Sequence, residues 1–238
     1  MSSCEYFLFS KPQNSDLTKE SENQIISLNP GNHIYLLPKT NLPYYYNSGL
    51  FEKPIIEWVK QFCHKDRCFL DIGAHTGTYA ISLASYSKNV YAFEPQQMTY
   101  YALCGGVALS NLRNIECIPY GLGSIEQVGK KTLNIVSPDG GGSSLHIGEH
   151  RVLSTETIEI RTLDSFSLDN IGFIKIDVEE NELAVLQGSR DTLHRSGYPT
   201  IIFESNHENP ALFSFIYELG YKIIPIQGQQ NMFLAVSN

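Results

Sequence analysis

The sequence is poor in several things that would have fixed its class at once. It has one tryptophan, three methionines and five cysteines in 238 residues. Those cysteines, Cys4, Cys63, Cys68, Cys104 and Cys117, are odd in number and contain no C-x-x-C pair. That argues against a zinc ribbon or a disulfide framework and for free, buried thiols. Positive charge is short as well: 17 Lys and Arg face 25 Asp and Glu, for a formal charge of -8. An extended phosphate-binding surface needs a basic footprint, so nucleic acid is not the expected partner, although a local basic groove stays open. No apolar run approaches the length that crosses a bilayer, and MSSCEYFLFSKPQNSD lacks the basic segment and long apolar core of a signal peptide. The expectation is a cytoplasmic protein without membrane insertion. Repeats, low-complexity tracts and dividing linkers are also lacking, which points to one catalytic-sized domain.

What is present is a pattern that changes period. Residues 1–49 hold short apolar pieces, YFLF, QIISL and HIYLL, separated by Pro, Asn, Gly and Ser. They read as a strand-rich lead-in or cap. Residues 50–238 read as the main domain, entered by a helix over PIIEWVKQF with Pro54 in its first turn. Strand and helix then alternate: CFLDIG with TYAISLASYS, NVYAFE with QMTYYALCGGVALSN, then NIECIPYG. This is the rhythm of a doubly wound parallel α/β sheet flanked by helices. Gly105 and Gly106 weaken the second helix by roughly 1 kcal/mol each relative to alanine. From about 128 to 162 the rhythm is interrupted by KTLNIV, the loop SPDGGGSSLH and TIEIRTL, which predict a variable flap. It resumes with IGFIKID, one helix over NELAVLQGSRDTLHR, TIIFES and NPALFSFIYELG, and YKIIPIQGQQNMFLAV predicts an antiparallel terminal strand pair.

Chemistry gathers first at FLDIGAHTGTYAISLA. Asp71 ends the first strand, and Gly73 and Gly77 flank a tight turn of the kind that lets a ligand approach the backbone. The plainer alternative is that the glycines only tighten the turn and Asp71 caps it. No G-K-[ST] ending follows, and the third glycine of the dinucleotide fingerprint is missing, which argues against a nicotinamide oxidoreductase. The next strand ends in Glu94, an acid that could accept both hydroxyls of a ribose or could simply be a solvated strand end before Pro95. Taken with the glycine turn, it points to a nucleoside without a pyrophosphate, S-adenosylmethionine. The amino-acid end would lie near Asp71 to Gly77, the ribose at Glu94 and the adenine around Ile118 to Gly121.

At this point the chain resembles the FkbM family of methyltransferases, S-adenosylmethionine-dependent enzymes with a Rossmann-like seven-stranded fold. The pieces that carry the resemblance are LDIGAHTGTYAISLA, NVYAFEPQ, NIECIPYGLG, RTLDSF, FIKIDVEENELAVLQGS and IIFES, from about residue 68 to 204. The resemblance implies methyl transfer, in members usually to an oxygen of a sugar or natural-product precursor. It assigns cofactor binding to Asp71, Gly73, Ala74, Gly77, Glu94 and Gly121, with His75 meeting the cofactor's carboxylate through its backbone amide. Asp164 in TLDSF is assigned to fixing a loop or helix start.

IGFIKIDVEENELAVL carries the second cluster of chemistry. Alternation places Lys175, Asp177 and Glu179 on one side of the strand, with Ile174, Ile176 and Val178 on the other. Methyl transfer to a hydroxyl requires in-line alignment, exclusion of water and a home for the proton. Asp177 is the expected base or orienting carboxylate, and Lys175 holds its charge or lowers the pKa of the hydroxyl. Glu204, at the end of TIIFES, would lie beside Asp177, where the two could bind sugar hydroxyls or divide acid and base roles. The two acids could instead hold a divalent cation with Asn206 or His207, but a metal is not favoured. Glu182 reads as the solvated first turn of a helix. Glu180 stands where the resemblance leads one to expect glycine, so it is strained if φ is positive there and narrows the pocket if it faces the acceptor.

His146, within GGGSSLHIGEH, is a candidate base or substrate donor on a flap that shields the reaction from water, or an ordinary loop residue. His33, His64 and His194 read as surface or capping residues. Tyr44, Tyr45 and Tyr46 could stack on a sugar or pack in the core, and Glu52 could reach the cofactor pocket. The expected function is O-methylation of a saccharide or related small hydroxylated acceptor, with a homodimer left open. Two alternatives are carried: 2'-O-methylation of RNA, such as a cap, which would want a basic or aromatic track, and a non-catalytic binding protein that has kept the fold.

Overall fold

The structure is a computed structural model, and it describes residues 6–10, 33–146, 151–205, 209–229 and 231–237. The strands in chain order are β1 (Tyr6–Ser10), β2 (Ile34–Pro38), β3 (Cys68–Ile72), β4 (Val90–Phe93), β5 (Ile115–Ile118), β6 (Gly121–Leu122), β7 (Gly129–Ile135), β8 (Ser154–Arg161), β9 (Ile171–Ile176), β10 (Thr200–Glu204), β11 (Tyr221–Pro225) and β12 (Met232–Ser237). The helices are α1 (Leu42–Ser48), α2 (Lys53–Val59), α3 (Thr78–Leu83), α4 (Gln97–Leu109), α5 (Glu182–Gln187), α6 (Arg190–Arg195) and α7 (Pro210–Glu218).

Every residue of CFLDI and IGFIKI is buried, as the two central strands of a parallel sheet covered on both faces must be. The sheet has seven strands in the order β11-β12-β10-β9-β3-β4-β5. β3, β4, β5, β9 and β10 run parallel, and β12 is antiparallel to both β10 and β11. The expected α/β class and antiparallel terminal pair are therefore present. Parity along β9 separates two cores: Phe173 packs with Phe69 and Leu83 on one face, while Ile174 and Ile176 pack with Leu70 and Phe203 on the other.

Two elements differ from their sequence expectation. The helix expected over 181–195 is broken into α5 and α6 around Gly188, where an added Cβ would stand 2.1 Å from the Gly123 carbonyl oxygen. The strand expected over NIECIPYG stops at Ile118, and Gly121–Leu122 leaves the main sheet to pair with β8 in a separate sheet of order β6-β8-β7. The lead-in pairs β1 with β2 antiparallel, and β2 lies against α4. There the Ile34 amide donates to Ser110 Oγ at 2.7 Å. A Cβ on Gly106 would stand 3.0 Å from the Ile34 carbonyl oxygen, so the glycines that weaken α4 are what let β2 approach it. QIISL and Cys4 lie outside the described residues.

Candidate active site

The chain order reverses between β3 and β9, which sit side by side with β4 and β5 on one flank and β10 on the other. Crevices of open α/β sheets form at such a point, beyond the carboxyl ends of the strands. Here those ends are Ile72 and Ile176, so Gly73 and Asp177 emerge next to each other. The Asp177 amide donates to the Ile72 carbonyl at 3.0 Å. Gly73 has φ +78, and a Cβ there would lie 1.8 Å from the Asp177 carbonyl oxygen. Only glycine fits, on conformation and on space alike. The turn continues through His75 at φ 50 to Gly77 at φ 85, which starts α3.

A cavity of about 380 Å³ opens above this junction, within the about 300–1,000 Å³ range of small-molecule sites. Gly73, Ala74, His75, Glu94, Gly121, Lys175 and Asp177 all line it; Asp71 and Gly77 sit behind the wall. Asp71 is fully buried, with Oδ2 accepting the Ala80 amide at 2.8 Å. Burial pushes its carboxyl up to about 6, against the pull of Lys175. Glu94 is 6% exposed and already holds three donors: its Oε1 accepts from the Gln96 amide and Thr99 hydroxyl, both at 2.9 Å, and its Oε2 accepts from the His75 amide at 2.8 Å. A carboxylate offers roughly four lone-pair sites, so one stays open on Oε2. The His75 amide, expected to meet a cofactor carboxylate, is thus committed to Glu94. Beyond Glu94 the wall is apolar: Gly121, Leu122, Leu133, Ile158 and Ile160.

At the opposite end the charges concentrate. Lys175 is 4% exposed, and its ammonium donates to the Gly73 carbonyl at 2.9 Å and to Asp177 Oδ2 at 2.9 Å, with Asp71 Oδ1 at 3.8 Å. Burial works against its charge, but the carboxylates of Asp177 and Asp71 outweigh it and hold its pKa above the ordinary value. Asp177 keeps about 30% of its side chain exposed. Burial would raise its pKa, yet Lys175 and a hydrogen bond with Glu204 hold it below the usual carboxylate range. Glu204 carries the opposite shift: burial, the charge of Asp177 and their shared hydrogen bond push it up to about 8. Glu204, which is not among the residues that line the cavity, is thus the weaker acid of the two.

Other expectations fare differently. His146 is exposed, and its loop presents Gly140 to Ser143 and Leu145 to the cavity instead. Glu182 does begin α5, but it is 4% exposed rather than solvated, and burial raises its carboxyl to about 7. Glu180 has φ 76 and faces solvent, so it bears the strain expected of a non-glycine residue there and does not narrow the cavity. Of the three tyrosines, Tyr45 is buried at the cavity wall, Tyr44 stacks on Phe51 at 4.1 Å and Tyr46 is 87% exposed. Asp164 caps α6 through the Thr192 amide at 2.7 Å. Asn206 and His207 lie outside the described residues, among which no group of three or more His, Cys, Asp or Glu side chains is placed to hold a metal ion.

The flap contributes a residue that sequence reasoning missed. Asp139 Oδ2 accepts from Thr40 Oγ1 at 2.9 Å and Asn41 Nδ2 at 3.0 Å, both on the lead-in, and its carbonyl accepts from His75 Nε2 at 2.7 Å. Ser144 Oγ donates to the Glu179 carbonyl at 2.8 Å. The hairpin of β7 and β8 is thereby tied over the cavity at three places. Within the sequence the only signal for Asp139 was its position beside three glycines.

The FkbM methyltransferase domain family matches residues 71–223. No curated protein matches the chain. Among solved structures, the chain is similar to a methyltransferase FkbM from Methylobacillus flagellatus KT, with 19% identity and a TM-score of 0.51 over 80% of this chain and 46% of that one. This chain thus spans about half the length of that relative. It is also similar to a precorrin-6y C5,15-methyltransferase from Geobacter metallireducens GS-15, with 10% identity and a TM-score of 0.51 over 79% and 90% of the two chains. A third is an S-adenosylmethionine-dependent O-methyltransferase from Thermotoga maritima, with 9% identity and a TM-score of 0.51 over 86% and 74%. At such identities the likeness shows a shared Rossmann-like methyltransferase fold. The family match covers more than half of the chain and contains the Gly73 and Asp177 junction of the cavity floor, so this chain belongs to the FkbM family of S-adenosylmethionine-dependent methyltransferases.

Proposed function

We propose that this protein is a cytoplasmic O-methyltransferase that moves the methyl group of S-adenosylmethionine to a hydroxyl of a saccharide or a related small hydroxylated molecule. The observation that carries this reading is the Lys175 and Asp177 pair, set against Gly73 at the charged end of the cavity. The residues present suit the donor: an apolar slot at Gly121 and Ile160 takes the purine, the open site on Glu94 takes a ribose hydroxyl, and the Gly73 turn receives the amino-acid end. When bound, S-adenosylmethionine supplies a methyl group already activated by its sulfonium.

The chain's own work is then positional. As the new C–O bond forms, the attacking hydroxyl becomes strongly acidic, so a weak base close to it suffices. Asp177, kept ionised by Lys175, orients that hydroxyl and takes its proton. Glu204 keeps its own proton and holds Asp177 in place. Lys175 bridges Asp177 to the Gly73 carbonyl, which fixes the acceptor side against the donor side. The tied flap keeps water away.

Charge supports a saccharide over RNA. Glu52, Glu94, Asp139, Asp177 and Glu179 line the cavity, with Lys175 as its one lysine or arginine among the described residues, surroundings that favour neutral hydroxyls and repel a phosphate backbone. Free Cys63, Cys68, Cys104 and Cys117 support a reducing compartment. The test is transfer of labelled methyl groups across a saccharide panel, with D177N as the comparison. Turnover in D177N should fall by about 10²- to 10⁴-fold while S-adenosylhomocysteine still binds. Full turnover in D177N would remove Asp177 from the chemistry.

A further inference from the structure

We propose that Glu52, which lies outside the family-matched segment, binds the α-ammonium group of S-adenosylmethionine; this rests on the cofactor reading given above. Glu52 sits between α1 and α2 in the left-handed region, at φ 53 and ψ 20. A non-glycine residue holds that conformation at a cost that its surroundings must repay. Its side chain lines the cavity, and Oε2 accepts the Tyr79 hydroxyl at 2.7 Å. Among the described residues no cation forms an ion pair with it.

Of the other acids that line the cavity, Glu94 already holds three donors, Asp139 receives Thr40 and Asn41, and Asp177 is paired with Lys175, while Glu179 follows Asp177 on the acceptor side, its carbonyl tied to Ser144 of the flap. Lys175, the nearby cation, is spent on the Gly73 carbonyl and Asp177. Glu52 is thus a half-buried carboxylate with one oxygen oriented by Tyr79 and, among the described residues, no ion-pair partner, a state that a bound cation relieves. The cofactor brings one. With the purine in the slot by Gly121 and the ribose at Glu94, its amino-acid end runs past Gly73 to Thr78 and Tyr79, which leads to Glu52. A hydroxylated acceptor would supply no positive charge there.

The test is calorimetric binding to the full chain of two probes, S-adenosylhomocysteine, which carries the ammonium, and methylthioadenosine, which shares the nucleoside and lacks the amino acid. Glu52→Gln should weaken S-adenosylhomocysteine by about tenfold or more and leave methylthioadenosine within about twofold, as expected for one charge-assisted hydrogen bond. Binding of methylthioadenosine also reports that the variant is folded. Glu52→Asp, which keeps the charge, should recover part of the loss. Equal loss for both probes, no loss for either, or a Glu52→Asp protein no better than Glu52→Gln overturns the assignment. A wild-type protein that binds neither probe overturns the cofactor reading itself.

Discussion

Replacing Glu204 by glutamine tests the shared proton directly. Glutamine keeps the shape and a permanent donor toward Asp177 but cannot ionise. In the wild type the folded carboxyl of Glu204 is raised from 4.5 to about 8, first by burial and then by Asp177. Between those values the native state holds a proton that the unfolded chain has lost. Stability from this group is therefore full below pH 4.5, falls as pH rises, and is gone above about pH 8. The slope is at most about 1.4 kcal/mol per pH unit. Asp177 runs the other way, because its folded pKa is depressed and its contribution is lost only as pH falls below its ordinary 3.8, outside this window. Asp71 and Glu182, raised to about 6 and about 7, titrate within the window in both proteins and cancel in the difference. Urea unfolding at half-unit steps from pH 4.5 to 8.5 should show E204Q gaining on the wild type steadily and then levelling. Stability curves that stay parallel across the whole range would refute the shared proton, and with it the division of roles between the two acids.

Three further outcomes follow from single contacts. Gly73→Ala, with its Cβ 1.8 Å from the Asp177 carbonyl oxygen at φ +78, should abolish S-adenosylhomocysteine binding in calorimetry and cost at least about 3 kcal/mol in urea unfolding. Glu180→Gly removes a left-handed glutamate at φ 76, and should raise stability by about 0.5–1 kcal/mol after the entropy of the freer unfolded chain is counted. Asp139→Ala removes the carboxylate that receives Thr40 and Asn41; amide exchange over 137–145 should quicken by about tenfold or more, with β3 and β9 unchanged.

Local signals carried much of the fold and part of the site. The alternation of CFLDIG, NVYAFE and IGFIKID with helical stretches described the parallel sheet because each strand is buried on both faces and leaves a mostly apolar run. Gly73 and Asp177 were legible because tight turns and strand-end acids stand out against such runs. What failed to show depends on residues far apart in the chain. The break at Gly188 is made by the backbone of Gly123, and the burial of Glu182 by neighbours that its own helix does not reveal. Asp139 becomes a clasp only when Thr40, Asn41 and His75 meet it, from positions 99, 98 and 64 residues away. The split of β5 from β6 likewise needs β8 as a partner for Gly121.

The packing of Gly73 against the backbone of Asp177 has a consequence for how such a site can change. The two halves of the floor share a partition one peptide thick, with Lys175 bolted across it. A side chain altered on either half displaces the other, so this floor has almost no room to be retuned for one ligand without disturbing its neighbour. The movable walls are the roof and the door: the β7–β8 hairpin, the lead-in carrying Thr40 and Asn41, and Glu52 just before α2. New preferences can be tried there while the floor stays fixed.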